Sequence, residues 1–104
     1  MAEEQTVEVA MQLIMYGGEA KSNAMEAIQA AKKQLFEVAD VKLQAAHAAL
    51  LVAHHSQTEL LSKEAQGEKN ELNLFLIHGQ DHLMTSIAFV DLTKEIIDLY
   101  KQLN

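Results

Sequence analysis

The stretch Leu74-Phe75-Leu76-Ile77-His78-Gly79-Gln80-Asp81-His82-Leu83-Met84-Thr85-Ser86-Ile87-Ala88-Phe89-Val90 decides how this chain folds. Wound at roughly 100° per residue, its apolar side chains, with Leu72, cover most of a helix's circumference. A helix that is apolar nearly all round is buried nearly all round. One stripe of it is anomalous: His78, Asp81 and His82 share a face with Leu74, Ile77, Thr85, Ala88 and Leu92. His78 and His82 lie about 40° apart, with Asp81 about 60° to the other side of His78. Three titratable groups on a face that reads as core carry a desolvation penalty that something must compensate.

Working outward, this segment is expected to run from about Asn70 to Leu103, and two more amphipathic segments precede it. The first spans about Glu3 to Lys33, with an expected inward stripe of Val7, Ala10, Met11, Ile14, Gly18, Met25 and Ile28. Beside that stripe runs a row of small residues, Gly17, Ala20, Ala24, Ala27 and Ala31, over which a neighbouring backbone could approach closely. Gly17-Gly18 implies either a kink, a break into two shorter helices, or packing that requires the missing side chains. The second segment spans about Leu35 to Ala65, with Phe36, Ala39, Leu43, Ala46, Leu50, Leu51, Leu61 and Ala65 inward. His47, His54, Gln57 and Thr58 fall on the same stripe. Gly67 sits where a helix C′ glycine belongs. Short connectors near Gln34 and Gly67 make sequential helices antiparallel. The expected fold is all-α: an up-down-up three-helix bundle over residues 1–104 as a single domain. Its excess apolar surface is to be met by oligomerisation, with the third helix at the interface between subunits.

Composition narrows the function. The chain has no Cys, which excludes disulfides, thiolate metal sites and a cysteine nucleophile on this polypeptide. No run approaches the ~20 apolar residues needed to span a bilayer. Met1 to Glu8 is acidic and lacks the basic start of a signal peptide, so a cytoplasmic location is expected. Fifteen acids against eight bases give a net charge of −7, with no basic patch for nucleic acid.

Five histidines remain to be explained. Any one of His47, His54, His78 and His82, taken alone, reads as a hydrogen-bonded core histidine. The group His78, Asp81 and His82 supports two chemistries from the residues alone. Histidines at i and i+4 with a nearby carboxylate can share a metal, as in a hydrolase, although the Glu base of the His-Glu-x-x-His signature is missing. Alternatively, one neutral imidazole is a nucleophile that forms a covalent intermediate. A purely structural oligomerisation module is the third reading.

The stretch from Ile77 through Thr85 resembles the signature of enzyme IIA of the lactose/cellobiose class in the bacterial sugar phosphotransferase system. The resemblance extends to Gly17-Gly18-Glu19-Ala20-Lys21-Ser22, Ala53-His54-His55-Ser56-Gln57-Thr58-Glu59-Leu60, Lys63-Glu64-Ala65-Gln66-Gly67-Glu68 and Ile97-Asp98-Leu99-Tyr100-Lys101. It implies a homotrimer of three-helix bundles acting as a phosphohistidine carrier. His78 would accept a phosphoryl group from HPr and pass it to a cysteine of enzyme IIB. Asp81 would meet its two symmetry copies at the threefold axis, where a cation, usually Mg²⁺, neutralises them. His82, one turn on, would hydrogen-bond the phosphoryl oxygens or orient the ring, and His54 and Gln57 could do the same across a groove. The membrane would be involved only indirectly, through the enzyme IIC permease. The sugar, a β-linked disaccharide of the lactose or cellobiose/chitobiose type, is not specified by these motifs.

Overall fold

A computed structural model describes residues 3–69 and 72–104 as three long helices, α1 (Glu3–Lys32), α2 (Phe36–Ala65) and α3 (Leu74–Gln102). They lie side by side in a rod of 53 × 19 × 17 Å. Among the described residues there is no strand, and no helix is long and apolar enough to cross a membrane.

The helix ends follow from local chemistry. At the end of α1, Gln34 takes a left-handed φ of 63°. Its N–H then bonds to the Ala31 carbonyl, and the Leu35 N–H to the Ala30 carbonyl. Gly67 repeats this arrangement after α2 with φ 95°, and Glu68 N–H reaches the Lys63 carbonyl. Both are the paired bonds of a Schellman C-cap, and the expected role of Gly67 is met. The third helix starts later than the expected Asn70, which lies outside the described residues. Leu72 and Asn73 are not helical, and the Asn73 side chain caps α3 by accepting from Leu76 N–H at 2.8 Å. A short polar side chain that can satisfy a free amide makes a better cap than a helix interior.

The contacts order the bundle. Along α1 and α2 the partner numbers run in opposite senses: Ser56 donates to Gln12 at 2.6 Å, and Lys42 meets Glu26 at 3.2 Å. Along α2 and α3 they do so again, with Gln57 donating to Gln80 and Lys101 to Asp40. Along α1 and α3 they rise together, Ala10 beside Gly79 and Gly17 beside Ser86. α1 packs closely on both neighbours, whereas α2 and α3 touch each other much less.

This arrangement corrects the expected faces. The buried line of α1 is Thr6, Ala10, Leu13, Gly17, Ala20, Ala24, Ala27 and Ala31. The row of small residues is therefore the core itself, and Met11 and Met25, expected inward, are 49% and 46% exposed. Small side chains let two helices approach one spine, and the larger ones are displaced to its flanks. α1 is also unbroken through Gly17-Gly18; Gly17 lies where α3 comes close, with the His82 backbone 3.4 Å from an added Cβ, whereas Gly18 has room for one. On α2 the core is Ala39, Ala46, Ala49, Ala53, Ser56 and Leu60, while His47, His54, Thr58, Leu51, Leu61 and Ala65 are exposed. On α3 it is Leu76, Gly79, Leu83, Ser86, Val90, Thr93 and Ile97. The stripe expected inward on α3 faces out: Leu74 is 82% exposed and Leu92 62%.

Candidate functional site

The site is built where α1 and α3 come closest. Gly79 presses against the α1 backbone so tightly that a Cβ there would stand 3.1 Å from the Ala10 carbonyl oxygen and 3.2 Å from Leu13 Cβ. One turn along, the Ser86 hydroxyl donates to the Gly17 carbonyl at 2.8 Å inside the core. These two contacts pin the turn of α3 that carries the histidines. Because Gly79 points inward, His78 beside it is turned outward and is exposed.

His78 and His82 meet edge to face, with ring centroids 5.2 Å apart and planes at 86°. His82 is half-buried and lies over Gly18 of α1, where an added Cβ would stand 3.8 Å from its Cε1. Its Nδ1 is buried and, among the described residues, has no hydrogen-bond partner. Burial first, then the Lys21 and His78 charges, hold the His82 ring below the usual 6.5. A ring so disposed stays neutral near pH 7. On its open side His78 is bordered by Leu74 and Phe75, which are exposed apolar side chains.

Asp81 parts company with the histidines. It is exposed and lines a different hollow, with Leu60, Leu61, Leu76, Ile77 and Gln80 between α2 and α3. Its backbone carbonyl accepts from Thr85 Oγ1 at 2.9 Å. Among the described residues, no group of three His, Cys, Asp or Glu side chains could hold a metal. The three-ligand hydrolase site of His78, Asp81 and His82 therefore does not assemble within one chain.

The α2 candidates also separate from the pair. His54 and His47 line a shallow apolar groove with Leu50, Leu51 and Ile87. Gln57 is engaged with Gln80 at 2.6 Å, so its amide is directed toward α3 beside Asp81 rather than toward His78. The residue missed by pattern reading is Lys21. Its charge reaches His82, and the only available signal was its position one turn beyond Gly17-Gly18 on a face not expected to meet α3.

An exposed imidazole, edge-packed by a second imidazole whose ring feels a lysine's charge, suits reversible attachment of an anionic group. Comparisons with known proteins identify which one this fold carries. Residues 8–101 match the family described as "PTS system, Lactose/Cellobiose specific IIA subunit". The lichenan-specific phosphotransferase enzyme IIA component of Bacillus subtilis is 47% identical over 96% of this chain and 91% of its own. The crystal structure of the cellobiose-specific enzyme IIA of Bacillus anthracis superposes with a TM-score of 0.92 at 47% identity, over 99% of this chain and 93% of that one. The IIA(chitobiose) structure from the Escherichia coli phosphotransferase system, solved in complex with HPr, gives 0.81 at 39% identity over 98% of each chain. The chain therefore belongs to the lactose/cellobiose-specific IIA subunits of the phosphotransferase system, phosphotransferase components that carry phosphoryl groups between proteins.

Proposed function

We propose that this chain carries its phosphoryl group on His78, taking it from phosphorylated HPr and giving it to a cysteine of enzyme IIB in the cytoplasm. The observation that carries this reading is the placement of His78, exposed on a rigidly held turn with His82 packed edge-on beside it. In the first step a lone pair on a neutral His78 nitrogen attacks phosphorus. The N–P bond of the donor phosphohistidine breaks, and its electron pair returns to the donor ring. In the second step an enzyme IIB thiolate attacks, the new N–P bond breaks, and the pair returns to His78. Such transfers need little beyond in-line positioning and compensation of oxygen charge. His82 is placed to donate from its other nitrogen to a phosphoryl oxygen or to hold the His78 ring, since its Nδ1 is enclosed. Leu74 and Phe75 beside His78 offer an apolar border for docking partner proteins.

The working unit we propose is a homotrimer of up-down-up bundles, an ordering that the residue pairings along the helices support. Leu51, Leu61, Ile77, Met84 and Leu92 on α2 and α3 are between 48% and 71% exposed. An apolar face of that extent on one soluble chain calls for a partner, and second and third copies of the same chain suit it. Asp81 supplies a single carboxylate per chain, so a divalent cation such as Mg²⁺ would need all three copies. Its role would be to neutralise charge at the axis, apart from the reacting atoms. The relatives are named for lichenan, lactose, galactose and cellobiose, and a β-linked disaccharide of the lactose or cellobiose type is the sugar we propose is served. Sugar would meet the membrane permease enzyme IIC and not this chain.

The test is mass spectrometry after incubation with enzyme I, HPr and phosphoenolpyruvate. One phosphoryl group per chain is expected, labile in acid and stable in base. His78→Ala should abolish it, whereas His82→Ala should slow labelling without preventing it. Normal labelling of His78→Ala, with none on His82→Ala, would reverse the two roles.

A further inference from the structure

The chain has eight lysines and no arginine, and Lys21 is the one whose charge reaches the half-buried His82. Lys42 and Lys101 are committed to Glu26 and Asp40. Lys21 is half-buried on α1 and, among the described residues, makes no ion pair or hydrogen bond. Helical side chains lean toward the N-terminus, so the patch that Lys21 covers is the turn before it, Gly17-Gly18. Those two residues have no side chains to obstruct its stem, and Gly18 is the residue on which His82 rests. α1 and α3 rise together, so the same lean carries the ammonium along the line from His82 toward His78. Lys21 is thus an unpaired cation on the helix whose Gly18 meets His82, and its charge is felt by that ring.

We propose that Lys21 is the cation that compensates the phosphoryl group carried on His78, reaching toward it across Gly18 and alongside His82. This assignment rests on the reading of His78 as the acceptor. A phosphohistidine brings about two negative charges to a protein already at −7. A lysine waiting beside the ring attracts the incoming group and is not neutralised beforehand by an acidic neighbour. Lysine suits the task as a compact point charge on a flexible stem that can follow the group between donor and acceptor. The glycines then have two functions: they admit α3, and they clear a path for the ammonium.

The experiment measures the equilibrium between phosphorylated HPr and this protein, at concentrations low enough that the two seldom remain bound. For wild type, Lys21→Gln, Lys21→Arg and His78→Ala, the fraction labelled is read by intact mass, with thermal melts to confirm folding. A charge within one or two turns of the phosphate shifts such an equilibrium by about three- to tenfold. Lys21→Gln should move it toward HPr by that factor, Lys21→Arg should restore it to within about twofold, and added salt should shrink the difference. If Lys21 served only to dock HPr, Lys21→Gln would raise KM without moving the equilibrium, and that result would overturn the assignment. So would equal losses in Lys21→Gln and Lys21→Arg, which would mean that shape and not charge matters. Unlabelled wild type, or label retained in His78→Ala, would instead remove the His78 reading, and this inference with it.

Discussion

The three glycines at the α1–α3 contact allow a stability prediction with its own internal control. Each lies within a helix, so Gly→Ala gains about 1 kcal/mol of helix propensity at every one of them. What differs is the space available. At Gly18 the nearest atom to a new Cβ is His82 Cε1 at 3.8 Å, an ordinary contact. At Gly17 the His82 backbone and Ser86 Oγ stand at 3.4 Å, the edge of comfort. At Gly79 the Ala10 carbonyl oxygen at 3.1 Å and Leu13 Cβ at 3.2 Å require the two helices to separate by a few tenths of an ångström. Overpacking of this kind costs roughly 1–3 kcal/mol. Gly18→Ala should therefore stabilise by about 1 kcal/mol, Gly17→Ala should fall near zero, and Gly79→Ala should destabilise by up to about 2 kcal/mol. For a chain of this length a spread of up to about 3 kcal/mol corresponds to as much as roughly 14 °C in Tm between the extremes. Circular-dichroism melts at one fixed chain concentration would measure it, since subunit association otherwise moves Tm. Gly79→Ala should also slow labelling of His78, because it displaces the turn that positions the nucleophile. If Gly79→Ala melts as high as Gly18→Ala, the close approach of α1 and α3 is not what pins the site.

Other perturbations follow from single contacts. Gln34→Gly should raise stability by about 1 kcal/mol in urea titration, because glycine takes the left-handed backbone that Gln34 must adopt at φ 63° without a Cβ penalty. Ser86→Ala should lower it by about 1 kcal/mol, through loss of the buried hydrogen bond to the Gly17 carbonyl. Asp81→Leu should leave a trimer that sediments normally and ignores chelator, since apolar replacement of a buried ionic cluster is often neutral or stabilising. Asp81→Lys should dissociate it, and sedimentation like wild type would show that Asp81 does not sit at a threefold axis.

The three helices and their connectors were legible because each has a local cause: unbroken periodicity, a glycine at C′, and no proline. The second left-handed position, Gln34, is not legible as such, since nothing in a glutamine announces a positive φ. The facing of the helices was harder to read. Hydropathy ranks Met11, Met25 and Ile14 above Ala20, Ala24 and Gly17, yet the smaller set is the core. Close packing rewards thin side chains that let two backbones meet one spine, a quantity that no single-residue scale contains. On α3 the pattern is apolar on both sides, so periodicity could not tell which side meets α1.

That same ambiguity misplaced the histidines. The stripe holding His78, Asp81 and His82 reads as core because it is apolar, and within one chain it is surface. The desolvation penalty expected for these residues does not exist for His78 or Asp81 in an isolated chain, where both are exposed. It survives only for His82, held below its usual pKa and with an enclosed Nδ1. The apolar character still requires an explanation, because Leu74, Ile77, Met84 and Leu92 in water would favour aggregation. A carrier has to satisfy two opposing needs on one helix: an acceptor open to partner proteins, and apolar ridges closed off from them. Splitting the face resolves this. The side bearing His78 and His82 turns toward α1 and its glycines, and the side bearing Asp81 turns toward the hollow beside α2. In the proposed trimer, association of copies on the second side would leave the first side free, so assembly and phosphoryl exchange would not compete for the same surface.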